Sequence, residues 1–421
     1  MKKYLLKLIH FILAGFARRV IKRHQPFIIA VTGSLGKTST KEAIFRILKD
    51  HFGAEVRANF GSLNAEIGIP LTILGYESLP SKLSWPVFLF SAWFRSLTRS
   101  FPKYLILELG VEHPGDIKYF GTIIKPDMVV ITSLAGAHLL NFHSLAEYQE
   151  EKLSAIKIAK KGSKIFINND DPKLSCLKDR EVISVGVDNH QSKYYIENYK
   201  VSTRGTDYRI ASLGQKISIR SSLLGKQGLY SQLLAFAVGI SFGISFLSIK
   251  KSLESMKPLP GRMNRLVGIK ETTIIDDTYN AVNFDSVKAG LDVLAALKSA
   301  GRKVAILGNV NESGDNEKEL HSKIGRYTKG KAGFAIFIGP NAKYMFDGYA
   351  DPQNSLYFDK KEEIISSLAK LIKNNDIIYV KASQNHNFFE EIVKELLKDK
   401  SNAKELLVRQ SDFWLKKKYN D

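Results

Sequence analysis

The sequence predicts an α/β protein: a P-loop-type, mostly parallel sheet with a small antiparallel sub-sheet, followed by a second Rossmann-like α/β domain. Three observations predict it. The apolar run "FIIAV" (Phe27–Val31) leads straight into "TGSLGKTS" and then into the helical "TKEAIFRILKDHF". Further apolar runs, "YLILELG", "DMVVITSL" and "SKIFINNDD", alternate with helical stretches such as "SLAEYQEEKLSAIKIAKKG", the pattern of a parallel sheet covered by helices. The alternation restarts after "KPLPGRMNRL" (Lys257–Leu266), whose two prolines and glycine mark a boundary.

Three segments follow: a basic apolar helix over 1–25, a first α/β domain over 26–258 and a second over 259–421. Within the first, "VISVGV", "KYYIENYKVS", "DYRIASL" and "KISIRSSL" are short, β-rich and separated by turns. They predict a small, mostly antiparallel sheet in or beside the parallel one. The second reads "TTIIDD", "SVKAGLDVLAAL", "KVAILGNV", "ELHSKIGRYT", "FAIFIG", "EEIISSLAKLI", "DIIYVKAS" and "FFEEIVKELL". No internal repeat is visible.

A chain of 421 residues, 44% hydrophobic, is long enough for more than one core. Its single cysteine, Cys176, excludes a disulfide framework and suits a reducing cytoplasm. The formal charge of +20 is spread among acids, without the aromatic interleaving of a single-strand binder. Nucleic acid is therefore not expected as a partner. The exception to the scatter is "MKKYLLKLIHFILAGFARRVIKRH", which carries seven Lys or Arg and no acid. It is too interrupted to span a bilayer. Leu5, Ile9, Ile12 and Phe16 recur at helical spacing. That suits either an amphipathic helix on an anionic membrane or a helix packed on the protein itself. A second apolar run, "SWPVFLFSAWF", is also too short to span, and core packing is expected of it.

The loop Thr32-Gly33-Ser34-Leu35-Gly36-Lys37-Thr38-Ser39 joins a strand to a helix, so backbone N–H groups and the helix N-terminus face a bound phosphate. Lys37 can neutralise phosphate charge and Thr38 can place a hydroxyl on magnesium; Val31 stands where a full P-loop has its first glycine. Glu108 ends the apolar run "LELG", where a lone buried carboxylate is costly and a cation would be welcome. His138 follows the next apolar run. Lys152, in "YQEEKLSA", reads as an ordinary solvated lysine.

Taken together, these stretches resemble the Mur ligase family, ATP-dependent ligases of peptidoglycan assembly, and most of all the branch that adds D-alanyl-D-alanine to a UDP-muramoyl tripeptide. The resemblance rests on "TGSLGKTSTKE", "NAEIGIPLTIL" from Asn64, Glu108, "AHLLNFHS" with His138, Lys152 fourteen positions later, "NNDDP", "DDTYNA" (Asp276–Ala281), "LGNVNESGDNEKELH" and "VKASQ". It covers roughly Phe27 to Leu397.

The resemblance implies ATP bound by Thr32–Ser39, Arg262, Asp277 and Asn280. It implies two Mg²⁺ sites, held by Thr38, Glu108, His138 and a carbamylated Lys152. Lys37, His138 and Lys152 are the catalytic expectation. Asn64, Glu312, His321, Lys381 and Ser383 are the substrate-binding expectation, with muramoyl-peptide and dipeptide substrates. The expected site of action is the cytoplasm, at or near the inner face of the membrane.

The family ordinarily carries a whole domain before the phosphate loop, and here only the basic apolar segment precedes it. A lipid-linked acceptor met through that segment is therefore a further expectation. Other departures are Gln227 and Ser231 in "GKQGLYS", Val282 and Asn283 in "YNAVN", and Gln384 where the family has arginine. Two alternatives remain: a polyglutamate-type ligase with the same ATPase core, and a membrane-attached scaffold without catalysis.

Overall fold

The computed structural model describes residues 2–61, 63–78, 85–134, 141–177, 181–212, 214–281, 283–310, 316–384 and 387–419, with side chains from residue 8 to residue 418. His138 and Glu312 lie outside the described residues.

The first sheet has nine strands: β1 (Phe27–Thr32), β2 (Val56–Ala58), β3 (Tyr104–Glu108), β4 (Met128–Ile131), β5 (Lys164–Asn168), β6 (Val182–Gly186), β7 (Tyr194–Ser202), β8 (Gly205–Ser212) and β9 (Gln215–Ser221). Their spatial order is β2-β3-β1-β4-β5-β6-β7-β8-β9. The strands from β2 through β7 pair in parallel, and only β7–β8 and β8–β9 are antiparallel. The expected antiparallel unit is thus a three-stranded extension of the main sheet, and "VISVGV" belongs to its parallel part. The central strands β1, β3, β4 and β5 are almost wholly buried. They read as continuous apolar runs because both faces are covered by helices.

The second sheet comprises β10 (Asn264–Val267), β11 (Thr273–Asp276), β12 (Lys303–Gly308), β13 (Phe334–Ile338), β14 (Ser355–Phe358) and β15 (Ile377–Lys381). Their order is β10-β11-β15-β12-β13-β14, parallel except for the edge strand β10. Helices 225–241 and 246–254 pack on the first sheet, and the chain enters the second at Asn264.

The N-terminal helix, Lys2–His24, buries Ile9, Leu13, Ala14, Ala17 and Val20 in the core beneath the first sheet. His10 pairs with Glu66 at 3.1 Å, and Arg19 donates to Ser96 at 3.3 Å. One face therefore packs on the protein's own body, while Leu8 and Phe11 remain exposed. The run "WPVFLFSAWFR" forms a helix, Trp85–Arg95, that fully buries only Ala92. Core packing, the expectation for this stretch, holds for one face only: Trp85, Phe88 and Leu89 pack against the core, whereas Val87, Phe90, Trp93 and Phe94 are exposed. It packs beside the N-terminal helix and against Tyr76, whose ring centre is 4.5 Å from that of Phe88. No described helix is long and apolar enough to cross a membrane.

Candidate active site

The parallel register brings the phosphate loop and Glu108 together. Val31 pairs with Glu108 on one side and Val130 on the other, so β1, β3 and β4 end side by side. At that edge the chain leaves β1 through Gly33 (φ +132°) and Gly36 (φ +79°), conformations that side chains with a Cβ rarely adopt. A Cβ on Gly33 would also lie 2.1 Å from Thr132 Oγ1. The loop is pinned to the end of β4: Ser34 N donates to Ser133 O at 2.8 Å and Leu35 N to Ser133 Oγ at 3.1 Å. Helix Lys37–Phe52 then begins without a capping side chain and without an acid in its first turn. Its N-terminal N–H groups and dipole are left to an anionic ligand.

Lys37 is half-buried and reaches back to Ser34 O at 3.1 Å. Burial of its ammonium lowers its pKa; Glu108 opposes that shift and Arg262 adds to it. Glu108 is 1% exposed. Its backbone N–H donates to Asn59 Oδ1 at 2.8 Å, and its Oε1 accepts from Asn64 Nδ2 at 2.8 Å. Its second oxygen, Oε2, is buried without a hydrogen-bond partner. An orphaned carboxylate oxygen in the interior is costly, and a hard cation is the partner its chemistry fits. Among the described residues no three His, Cys, Asp or Glu side chains cluster as a ready cage. A magnesium site completed by nucleotide phosphates does not need one.

Lys152 lies on helix Leu145–Ile158, whose start is capped by Ser144 accepting from Glu147 N. Tyr148, Lys152, Ala155 and Ile158 form the buried stripe of that helix. The solvated face expected for Lys152 from its neighbours is therefore wrong: the residue is 1% exposed, with its Nζ 4.4 Å from the Tyr148 ring centre. Burial, reinforced by the nearby Lys37 charge, holds its pKa well below the usual lysine value; Glu108, Asp116 and Glu151 partly oppose this. Lys37, Glu108 and Lys152 thus share one electrostatic neighbourhood at the sheet edge, where open α/β sheets place ligands.

The second-domain residues meet at the ends of β11 and β15. Asp277 and Lys381 form an ion pair at 2.6 Å. Lys381 also donates to Asn280 O at 3.0 Å, Ser383 Oγ to Ala281 O, and Gln384 N to Asn280 Oδ1 at 3.1 Å. These residues therefore brace one another. Neighbouring Asp276 is fully buried, and burial raises its pKa to about 6 despite bonds from Thr278 and Gly261. Arg262 stacks over Tyr279 at 4.0 Å, close enough to the phosphate loop for its charge to act on Lys37.

Two residues expected to contact substrate make hydrogen bonds within the protein. His321 is fully buried: Nε2 accepts from Val310 N at 3.1 Å, which leaves Nδ1–H to donate to Glu317 O at 2.6 Å. Both ring nitrogens are used, and the side chain holds the loop after β12. Asn64 holds Glu108. Asn59 and Lys41 were not anticipated from sequence. Asn59 clamps both the N–H and the C=O of Glu108, and fully buried Lys41 donates to Asn59 O at 2.6 Å. Only the lysine in "STKEA" hinted at this, since a charge at a position of the helix's buried face needs a partner.

Glu108→Gln is expected to raise the Mg²⁺ concentration needed for half-maximal ATP turnover by at least about tenfold, and Asn64→Ala by less, because outer partners orient a metal-binding carboxylate without touching the metal. A Mg²⁺ titration of ADP formation measures both; equal curves for the Glu108 variant and the parent would remove Glu108 from the site.

Two family descriptions match the chain: the Mur ligase middle domain over residues 31–239 and the Mur ligase glutamate ligase domain over residues 261–384. The UDP-N-acetylmuramoyl-tripeptide–D-alanyl-D-alanine ligase of Bacillus subtilis is 27% identical over 88% of this chain and 76% of its own. The protein of the same name from Buchnera aphidicola subsp. Baizongia pistaciae is 30% identical over 89% of this chain and 76% of its own. Among solved structures, the MurF ligase of Thermotoga maritima in complex with ADP superposes with a TM-score of 0.77 at 23% identity, covering 94% of this chain and 84% of its own.

Proposed function

We propose, because this chain belongs to the Mur ligase family, that it is an ATP-dependent ligase joining a muramoyl-peptide carboxylate to an amine, with D-alanyl-D-alanine as the added dipeptide. The observation that carries this reading is the convergence of Lys37, the half-satisfied Glu108 and the buried Lys152 on one sheet edge. A nucleotide-binding protein that only senses or scaffolds has no use for a desolvated lysine there.

Transfer of the γ-phosphoryl group onto a carboxylate gives an acyl phosphate; the amine attacks its carbonyl carbon, the C–O bond to phosphate breaks, and an amide and inorganic phosphate result. The obstacle is crowded negative charge, so fixed cations and N–H dipoles carry most of the acceleration. Lys37 and the N-terminus of its helix hold the phosphates. Glu108 and Thr38 would hold Mg²⁺, which when bound would neutralise charge on the phosphates. Lys152 is the group for a second site. Its depressed pKa favours the neutral amine over what a solvated lysine offers; that is the form that adds CO₂ to become a carbamate, and a carbamate is an anionic oxygen ligand suited to a hard cation. His138 completes that set.

Residues 26–258 then form the ATP-binding unit and 259–421 the unit that closes on it. Asp277 is assigned to the ribose, Arg262 to phosphate and Lys381 to the incoming group, with Asn280 and Ser383 bracing them. Parting of the Asp277–Lys381 pair on closure frees both for those roles. ATP as the driving reactant places the reaction in the cytoplasm. Coupled turnover tests the proposal: ADP forms when ATP, a UDP-muramoyl tripeptide and D-alanyl-D-alanine are all present, and not when either acceptor is withheld.

A further inference from the structure

Thirteen large hydrophobic side chains stand out as exposed among the described residues, and seven of them lie together on two adjacent helices and the turn that follows: Leu8, Phe11, Val87, Phe90, Trp93, Phe94 and Leu97. Val87, Phe90 and Phe94 are 74%, 68% and 68% exposed, and Phe11 is 68% exposed. The helices are held side by side at their C-terminal ends, where Arg19 donates to Ser96 Oγ, Arg23 to Leu97 O and His24 approaches Thr98 O at 3.1 Å. Leu8, Phe11 and Val87 lie toward their N-terminal ends, Phe90 lies mid-helix, and Trp93 and Phe94 lie toward the C-terminal end of the second helix, with Leu97 just after it. From Trp85 to Phe94 the second helix contains no charge at all.

Soluble proteins rarely expose aromatics in such a cluster without a partner for it. The border of the patch identifies the partner. Arg19, Lys22, Arg23, Arg95 and Arg99 are exposed along the C-terminal ends of the two helices, and no acid occurs in residues 1–24. Glu66, the nearby acid, is engaged by His10. Aromatic side chains entering the acyl boundary beneath a basic rim is the arrangement of an interfacial helix pair. We infer that these two helices form a docking surface for an anionic lipid bilayer, lying flat on it without crossing.

The buried face of the N-terminal helix dictates how this must be tested. Deleting the helix would uncover Ile9, Leu13, Ala17 and Val20 and confound docking with unfolding. Exposed side chains are the proper targets. The full chain is sedimented with vesicles of phosphatidylglycerol and phosphatidylcholine, and with phosphatidylcholine alone. The parent is expected to sediment with the anionic vesicles and to be released by salt. The triple variant Phe11→Ser, Phe90→Ser, Phe94→Ser is expected to lose affinity by at least about tenfold. The double variant Lys22→Gln, Arg99→Gln is expected to lose roughly fivefold per charge on anionic vesicles only. An unchanged thermal midpoint and unchanged ATP binding certify that the variants are folded. The inference is overturned if the parent stays in solution with anionic vesicles, or if the folded triple variant sediments like the parent. It is also overturned if light scattering without lipid finds a dimer that the triple variant disperses, since a second copy would then cover the patch.

Discussion

Replacing Lys37 by Ala is expected to lower the rate of ATP-driven amide formation on the order of a thousandfold, as removal of a charge that stabilises a phosphoryl transition state does elsewhere. The position combines two roles. Its side chain stands at the start of the helix, donates to the loop carbonyl of Ser34, and feels the charge of Glu108. It also lowers the pKa of Lys152. Loss of the Lys37 charge therefore removes phosphate neutralisation and lets Lys152 hold its proton more firmly. Lys37→Arg is not a conservative test, because a guanidinium needs more room than a half-buried ammonium and distributes its charge differently. ADP formation and nucleotide binding are to be measured together. A loss in turnover much larger than the loss in binding is the expected split, since the charge matters most as the phosphoryl group moves. A rate within tenfold of the parent would mean that the loop binds nucleotide without taking part in its chemistry.

Lys152→Ala is expected to cost on the order of a hundredfold or more in turnover, and small carboxylates added to the buffer are expected to restore part of it. Burial and the neighbouring Lys37 depress the pKa of Lys152, so the neutral amine is more available there than on a solvated lysine. Protonation as pH falls removes the nucleophile that captures CO₂. Parent activity should accordingly fall on the acid side and in CO₂-depleted buffer, and bicarbonate should restore it. The Ala variant should ignore bicarbonate and respond to formate or acetate, which can enter the space left by the side chain and supply the missing oxygen ligand. Activity of the parent that is indifferent to CO₂, with a variant that no carboxylate rescues, would mean that Lys152 acts as an unmodified amine.

Why these residues differ in how readily they could be read follows from the range of the forces involved. The strand–loop–helix unit was legible because its signals are local: an unbroken apolar strand, glycines at both corners of a tight turn, and helical periodicity immediately after. Glu108 was legible because a carboxylate at the end of an apolar run has few inexpensive explanations. Lys152 was legible only through family resemblance. Its neighbours in "QEEKLS" suggest a solvated face, and its burial depends on helix Leu145–Ile158 lying against the sheet edge. Tyr148 and Ala155, four before it and three after it, were the available hint. Asn59 and Lys41 act through contacts to β3 and to the segment after β2, which no periodicity encodes. The helix Trp85–Arg95 was read only in part for a related reason: Trp85, Phe88 and Leu89 pack on the core, and the opposite face does not. Hydrophobicity reveals that a segment avoids water, not whether protein or lipid replaces it.

Phosphate release with each acceptor present, absent or paired is the measurement that bears most directly on the central claim. With ATP, Mg²⁺, a UDP-muramoyl tripeptide and D-alanyl-D-alanine together, the account predicts one ADP per amide formed, with the new amide visible by mass spectrometry and negligible turnover when either acceptor is omitted. ATP hydrolysis that proceeds at the same rate with neither acceptor, and without amide formation, would contradict it.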